Sequence, residues 1–146
     1  MRITKKHLLR LAIVIATLLI LFSACSPAIQ QIVLPTPEAN KGHITGTILT
    51  VDGKPYSDYS VRLAEVYWQG EQGAYVLDES FSPGAISDKN GAFQVLNAPE
   101  GEYVLILGQA MQTYQAVTDA NGILMRVTIK AGETVDIGTI KFDYVP

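Results

Sequence analysis

The residues best suited to binding chemistry are three aromatic side chains in one short segment. Tyr67 and Trp68 end a stretch of strand-like alternation, and Tyr75 follows the turn that spans Gly70–Gly73. Neighbouring residues on a strand face opposite sides, so we expect one of Tyr67 and Trp68 to face solvent. An exposed ring there could stack on a sugar or on a partner protein, whereas an inward Trp68 would cap the core. We therefore predict Tyr67, Trp68 and Tyr75 as ligand contacts.

The sequence offers little for catalysis. Outside the first ten residues the only histidine is His43, at the edge of the first predicted strand, where we expect it on the surface. A nucleophile–base pair or a zinc site needs more histidine or cysteine than this. The acidic residues are scattered over turns, with no evident pair for glycoside hydrolysis. We predict a noncatalytic protein without a cofactor. A small envelope enzyme with a scattered carboxylate site and a purely structural spacer are the alternatives.

One tetrapeptide raises the question of a metal. Asp88-Lys89-Asn90-Gly91 matches the start of a calcium-binding loop, in which oxygen ligands alternate. A complete loop needs further ligands and usually a late Glu, but the residues that follow, 92–95, alternate as a strand does. Asp and Asn serve tight turns equally well. We therefore predict a turn and no metal site.

The single cysteine, Cys25, follows a segment typical of exported proteins. Met1–Arg10 is basic, Leu11–Phe22 is a short apolar run, and the small pair Ser23-Ala24 precedes the cysteine. This order is that of a secretory signal peptide. A membrane-spanning helix needs about 20 apolar residues, which makes an uncleaved anchor helix the weaker alternative.

The end of this segment, Leu21-Phe22-Ser23-Ala24-Cys25, resembles the lipobox of bacterial lipoproteins, with Phe22 in place of the usual Leu. The resemblance implies that residues 1–24 are removed and that Cys25 carries a diacylglycerol thioether. It further implies a protein bound by lipid to the cell membrane or outer membrane, facing away from the cytoplasm. Ser26 after the cysteine would favour the outer membrane in a cell that has one.

Charge and composition divide the remaining chain. The formal net charge of −3 splits into +4 before Cys25 and −7 from Cys25 onward, and an acidic body is unsuited to nucleic acid. Residues 25–42 contain Pro27, Pro35 and Pro37, which favour extended chain, so we predict a tether there. The body is predicted to span residues 43–146.

The body shows the period-two alternation of β-strands, interrupted by turns. The predicted turns are Asp52–Pro55, Asp88–Gly91, Pro99–Gly101, Asn121-Gly122 and Ala131-Gly132. The run Tyr103–Leu107 is apolar on both faces, as a covered central strand would be. After it, alternate residues from Ile123 to Ile129 are predicted to line one face. The hydrophobic phase slips near Gly138, which predicts a β-bulge. Six or seven short strands of this kind predict a β-sandwich or barrel.

The body also resembles the carboxypeptidase regulatory-like domain, of the transthyretin-like (prealbumin-like) type. The resemblance rests mainly on Gly46–Pro55, Ser87–Phe93, Pro99–Leu105 and Ala131–Gly138. It implies a seven-strand antiparallel or mixed β-sandwich with a carbohydrate-binding-like fold. It also implies an accessory or surface module that binds a glycan or an envelope protein. The long stretch Tyr67–Ala85 departs from the family pattern and predicts an inserted hairpin or loop.

Overall fold

The computed structural model describes residues 34–78, 80–109 and 113–144. Their regular structure is entirely β, in nine strands. The strands are β1 (Lys41–Leu49), β2 (Ser60–Gln69), β3 (Gln72–Val76), β4 (Gly84–Ile86), β5 (Ala92–Pro99), β6 (Gly101–Gly108), β7 (Tyr114–Ala116), β8 (Arg126–Ile129) and β9 (Thr134–Lys141).

The strands form two sheets. The smaller sheet has the order β5-β1-β9, with β1 antiparallel to β5 and parallel to β9. The larger sheet has the order β3-β2-β6-β7, with β4 beside β2 and β8 beside β6, and all of its pairs are antiparallel. This arrangement confirms the predicted all-β fold class with mixed strand pairing.

The core lies between the inner faces of the sheets and follows the period-two pattern. Its largest fully buried side chains include Phe93, Ile44, Ile48, Leu63, Leu105 and Leu107. Strand β6 is buried on both faces, as predicted for its apolar run. Val104 and Ile106 point away from the main core and form a second cluster with Ala64, which Leu77, Tyr114, Ala116 and Leu124 help to cover.

The predicted bulge near Gly138 is confirmed. Thr45 of β1 pairs with Asp136, and Thr47 pairs with Thr139, so β9 carries one residue more than β1 over this interval. Gly138 has a φ of 66°, which a residue without a side chain adopts at little cost. The extra residue accounts for the slip in hydrophobic phase.

The stretch Tyr67–Ala85, for which a hairpin or loop was predicted, contains a hairpin. Strands β2 and β3 pair antiparallel around the two-residue turn Gly70-Glu71. Gly70 has a φ of 62°, as the first central residue of a type II′ turn requires. The pairing of β2 with β6 ends at Glu65, and β2 continues to Gln69 because the exposed strand β3 pairs with it on its other side.

His43 contradicts the sequence prediction, because it is completely buried rather than exposed. Strand β5 bulges at Leu96 and Asn97, and the backbone N–H of Asn97 donates to His43 Nδ1 at 3.0 Å. His43 Nε2 lies 3.0 Å from the carbonyl oxygen of Pro35. An acceptor at Nδ1 and a donor at Nε2 correspond to one neutral tautomer. The chain before β1 therefore covers the His43 imidazole. The sequence pattern did not indicate this contact.

Candidate binding groove

The three predicted contact residues lie on the β2–β3 hairpin, at one end of the larger sheet. A groove of about 330 Å³ opens beside it on the outer face of that sheet. Its lining residues are Val66, Trp68, Gly73, Ala74, Tyr75, Val104, Ile123, Leu124 and Arg126. The volume is at the lower end of the ~300–1,000 Å³ range of small-ligand sites. The lining is mainly apolar and aromatic, with a single charged side chain, which is the usual composition of such sites.

Trp68 is held in place but remains half exposed. Its Nε1–H donates to Glu102 Oε2 at 2.9 Å, and 51% of the residue is accessible. The indole lies against the backbone of Gly73, where an added Cβ would come 2.8 Å from Cζ3 of the ring. Trp68 shares the outer face with Val66 and Val104, so it does not cap the main core.

Glu102 connects Trp68 to Arg126. The Nη1 of Arg126 donates to Glu102 Oε1 at 3.4 Å, and the guanidinium carbon lies over the Trp68 ring, 5.7 Å from its centroid. Both charged side chains are partly exposed, so this ion pair contributes little to stability. The ion pair instead positions polar groups, because it holds a carboxylate and a guanidinium at the rim of an aromatic surface.

Tyr75 and Tyr67 lie on opposite faces of the hairpin. Tyr75 pairs with Val66 and therefore faces the groove with Trp68. Tyr67 faces the other way, and its hydroxyl donates to Glu65 Oε2 at 2.6 Å. That hydrogen bond to a carboxylate raises the pKa of the Tyr67 phenol. The structure thus brings two of the three predicted residues together and separates the third.

Tyr67 borders a second groove of about 280 Å³, which contains two carboxylates. Asp78 Oδ1 accepts the backbone N–H groups of Ser80 at 2.8 Å and Phe81 at 3.1 Å, so it stabilises a turn. Glu65 accepts the Tyr67 hydroxyl. Both carboxylates therefore accept hydrogen bonds from within the fold.

The candidate calcium motif forms a turn. Asp88 Oδ1 accepts the backbone N–H groups of Asn90 at 2.8 Å and Ala92 at 2.9 Å. Asp119 holds the turn before β8 in the same way, and these backbone hydrogen bonds lower the pKa of its carboxyl group. Among the residues that the structure describes, no group of three or more His, Cys, Asp or Glu side chains could hold a metal ion.

Several residues in or beside the groove were not predicted from the sequence. Glu102 and Arg126 are 34 and 58 positions from Trp68 and meet it only through the pairing of β2, β6 and β8. Ile123 was expected on one face with Val127 and Ile129. It is instead 60% exposed and lies before β8 begins, while Val127 and Ile129 are buried. The turn after Asp119 ends the alternation and turns Ile123 toward the groove.

The predicted lipidation site, Cys25, lies outside the described residues, as do the signal peptide and most of the tether. Within the described ranges, no helix has the length and hydrophobicity needed to cross a membrane. Lipid attachment and membrane location therefore stay predictions from the sequence.

Comparison with known proteins gives distant structural likenesses. No protein-family model and no curated protein matches the chain, so the family resemblance stays a prediction. A candidate carbohydrate-binding protein from Pseudomonas aeruginosa is similar over 72% of this chain and 92% of its own, with 16% identity and a TM-score of 0.44. A 9R-lipoxygenase from Cyanothece PCC8801 is similar over 90% of this chain but 23% of its own, with 20% identity and a TM-score of 0.40. Likenesses at this level carry no argument about function.

Proposed function

We propose that this chain is a noncatalytic lipoprotein of the cell envelope that binds a glycan in the groove beside Trp68. The anchoring part of the proposal rests on Cys25 and the lipobox-like residues before it. The binding part rests on the geometry of the groove. These two parts are independent and need separate experiments.

The observation that carries the binding proposal is the fixed, half-exposed ring of Trp68. One face of a pyranose consists of C–H bonds and packs well on an aromatic ring, while its hydroxyl groups need polar partners at the rim. Glu102 can accept hydrogen bonds from such hydroxyls, and Arg126 can donate them. Because Glu102 and Gly73 already restrict the ring, binding a sugar costs little additional ordering of this side chain.

The chain contains one tryptophan, so its fluorescence reports on this groove alone. The experiment titrates the full chain, purified in detergent, with a panel of bacterial and host oligosaccharides and follows Trp68 emission. Binding should change the emission with saturation, and Trp68→Ala should abolish retention on the same immobilised glycan. Tyr67→Ala is the matched control, because Tyr67 is 54% exposed on the opposite face of the same hairpin.

The stability of Trp68→Ala must be measured before its binding is interpreted. A tryptophan that fills a core costs about 3–5 kcal/mol when truncated. A half-exposed ring should cost less than about 2 kcal/mol. A loss of stability of about 3–5 kcal/mol in Trp68→Ala would contradict the proposal that this groove binds a glycan. Equal loss of binding in Tyr67→Ala would contradict it as well. If no glycan responds but an envelope protein binds in a Trp68-dependent way, the ligand is a protein instead.

The anchor is tested in cells grown with an alkynyl fatty acid. The wild-type protein should be labelled and should sediment with membranes, whereas Cys25→Ser should lose the label and leave the membrane fraction. Ser23→Ala, which keeps a small residue before the cleavage site, is the control and should be labelled normally. Labelling that survives Cys25→Ser would refute the lipoprotein assignment.

A further inference from the structure

Strand β3 is an unprotected edge of the larger sheet. All five of its residues are exposed, and among the strands that the structure describes β2 is its only neighbour. Edge strands offer unpaired backbone groups to other chains, and proteins usually protect them with Lys, Pro or a bulge. The sequence Gln72–Val76 contains no charged residue and no proline. Its pairing with β2 is continuous, without a bulge.

The register of the hairpin determines which backbone groups face outward. The two-residue turn is closed by the pair Gln69–Gln72, which in such hairpins exchanges both of its hydrogen bonds. Hydrogen-bonded and non-hydrogen-bonded pairs alternate along an antiparallel ladder. The pairs that Gly73 and Tyr75 form with Trp68 and Val66 of β2 are therefore non-hydrogen-bonded pairs. Their N–H and C=O groups point away from β2 toward solvent.

This pattern is complementary to itself. We infer that β3 pairs antiparallel with β3 of a second copy of this chain, about a two-fold axis that passes beside Ala74. Gly73 of each copy then lies opposite Tyr75 of the other, and the two pairs form four backbone hydrogen bonds. Ala74 lies opposite Ala74. The larger sheets of the two copies become one continuous sheet.

The side chains are compatible with this pairing. Directly opposed residues share a face, so Tyr75 of one copy lies on the same face as the Trp68 ring that covers Gly73 of the other. The symmetry produces this Tyr75–Trp68 arrangement twice. On the opposite face Gln72 meets Val76, and no charge opposes a like charge.

Pairing would place the two grooves on one face, on either side of the axis, since Tyr75 lines each of them. The two binding sites would then be joined into a longer surface suited to an extended ligand. The inference does not depend on the glycan proposal, because it follows from the edge of the sheet alone. Each can fail without the other.

The test is the oligomeric state of the full chain, purified in detergent and followed by sedimentation equilibrium over a concentration series up to the high micromolar range. The wild type should show a reversible monomer–dimer equilibrium. Ala74→Lys places two positive charges against each other at the axis, and Ala74→Glu places two negative charges there. Each variant alone should weaken dimerisation by at least about tenfold.

An equimolar mixture of Ala74→Lys and Ala74→Glu should restore the dimer, because opposite charges then meet at the axis. Ala74 is exposed, so neither variant disturbs the core. Ile86→Lys adds the same charge at a position on β4 that is 63% exposed and should dimerise as the wild type does. A wild type that stays monomeric throughout, or an Ala74→Lys variant that dimerises normally, would overturn the inference. So would a mixture that stays monomeric.

Discussion

Replacing Gly73 by Ala tests the groove with the smallest possible change. The substitution removes no chemical group, yet its new Cβ would lie 2.8 Å from Cζ3 of Trp68 and 3.0 Å from two further ring atoms. Carbon atoms prefer separations of about 3.5–4.0 Å, so the ring must move by roughly 0.7 Å or more. The new methyl group is fixed to the backbone of β3 and cannot move away from the ring. The ring therefore has to tilt.

The tilt should weaken the hydrogen bond between Trp68 Nε1 and Glu102, which is 2.9 Å long. A displacement of about 0.7 Å carries an N–H···O pair of this length beyond the usual limit of ~3.2 Å. Losing a partly exposed hydrogen bond costs about 0.5–1.5 kcal/mol, which corresponds to roughly a two- to tenfold loss of glycan affinity. Overall stability should change little, because Ala in a strand recovers roughly 0.5–1 kcal/mol relative to Gly.

The assay combines three measurements on Gly73→Ala: the emission spectrum of Trp68, the melting temperature, and the affinity for whichever oligosaccharide binds the wild type. We expect a shifted emission and weaker binding at a nearly unchanged melting temperature. Gly101→Ala is the control, since its Cβ would meet Tyr103 at an ordinary 3.4 Å, away from the groove. If Gly73→Ala leaves both emission and affinity as in the wild type, the ring is not positioned as we describe.

Three further predictions concern stability. Tyr56→Phe removes a hydroxyl that bonds two backbone groups of the C-terminal segment and should cost about 1–3 kcal/mol by denaturant unfolding, whereas Tyr59→Phe should cost much less. The lowered pKa of Asp119 contributes stability above the ordinary aspartate value of 3.8 that is lost as pH falls through the folded value. Asp119→Asn should therefore lower the melting temperature at neutral pH more than in acid. A body that begins at His43 should melt below one that begins at Pro35, because it lacks the partner of the imidazole.

The parts of the fold that could be predicted depend on local sequence. The Asp-x-Asn-Gly tetrapeptides at Asp88 and Asp119 form the same turn, because a carboxylate can accept two nearby N–H groups wherever this spacing occurs. The bulge at Gly138 was visible because an extra residue shifts every later side chain to the other face. The lack of alternation in the apolar run Tyr103–Leu107 likewise identified β6 as covered on both faces.

The parts that could not be predicted depend on the register between distant strands. Nothing near Trp68 in sequence indicates that Glu102 will accept its indole N–H, because that contact follows from how β2 aligns with β6. The burial of His43 has a similar origin. It follows from a bulge 54 residues away that leaves the Asn97 N–H in need of an acceptor. Single-strand patterns carry no information on either event.

The β2–β3 hairpin itself argues that this region serves more than folding. None of the residues in β3 is buried, so the strand adds little to the hydrophobic stabilisation of the sandwich. Yet the hairpin carries exposed Tyr67, Trp68, Tyr75 and Val76, apolar surface that a folded chain gains nothing by presenting to water. The presence of Gly73 in β3 also indicates that the hairpin serves more than folding. A glycine weakens a strand, and here it lets the Trp68 ring lie against the backbone of β3. A segment that contributes so little to the core, and is nevertheless ordered around one aromatic ring, is best explained by what binds to it.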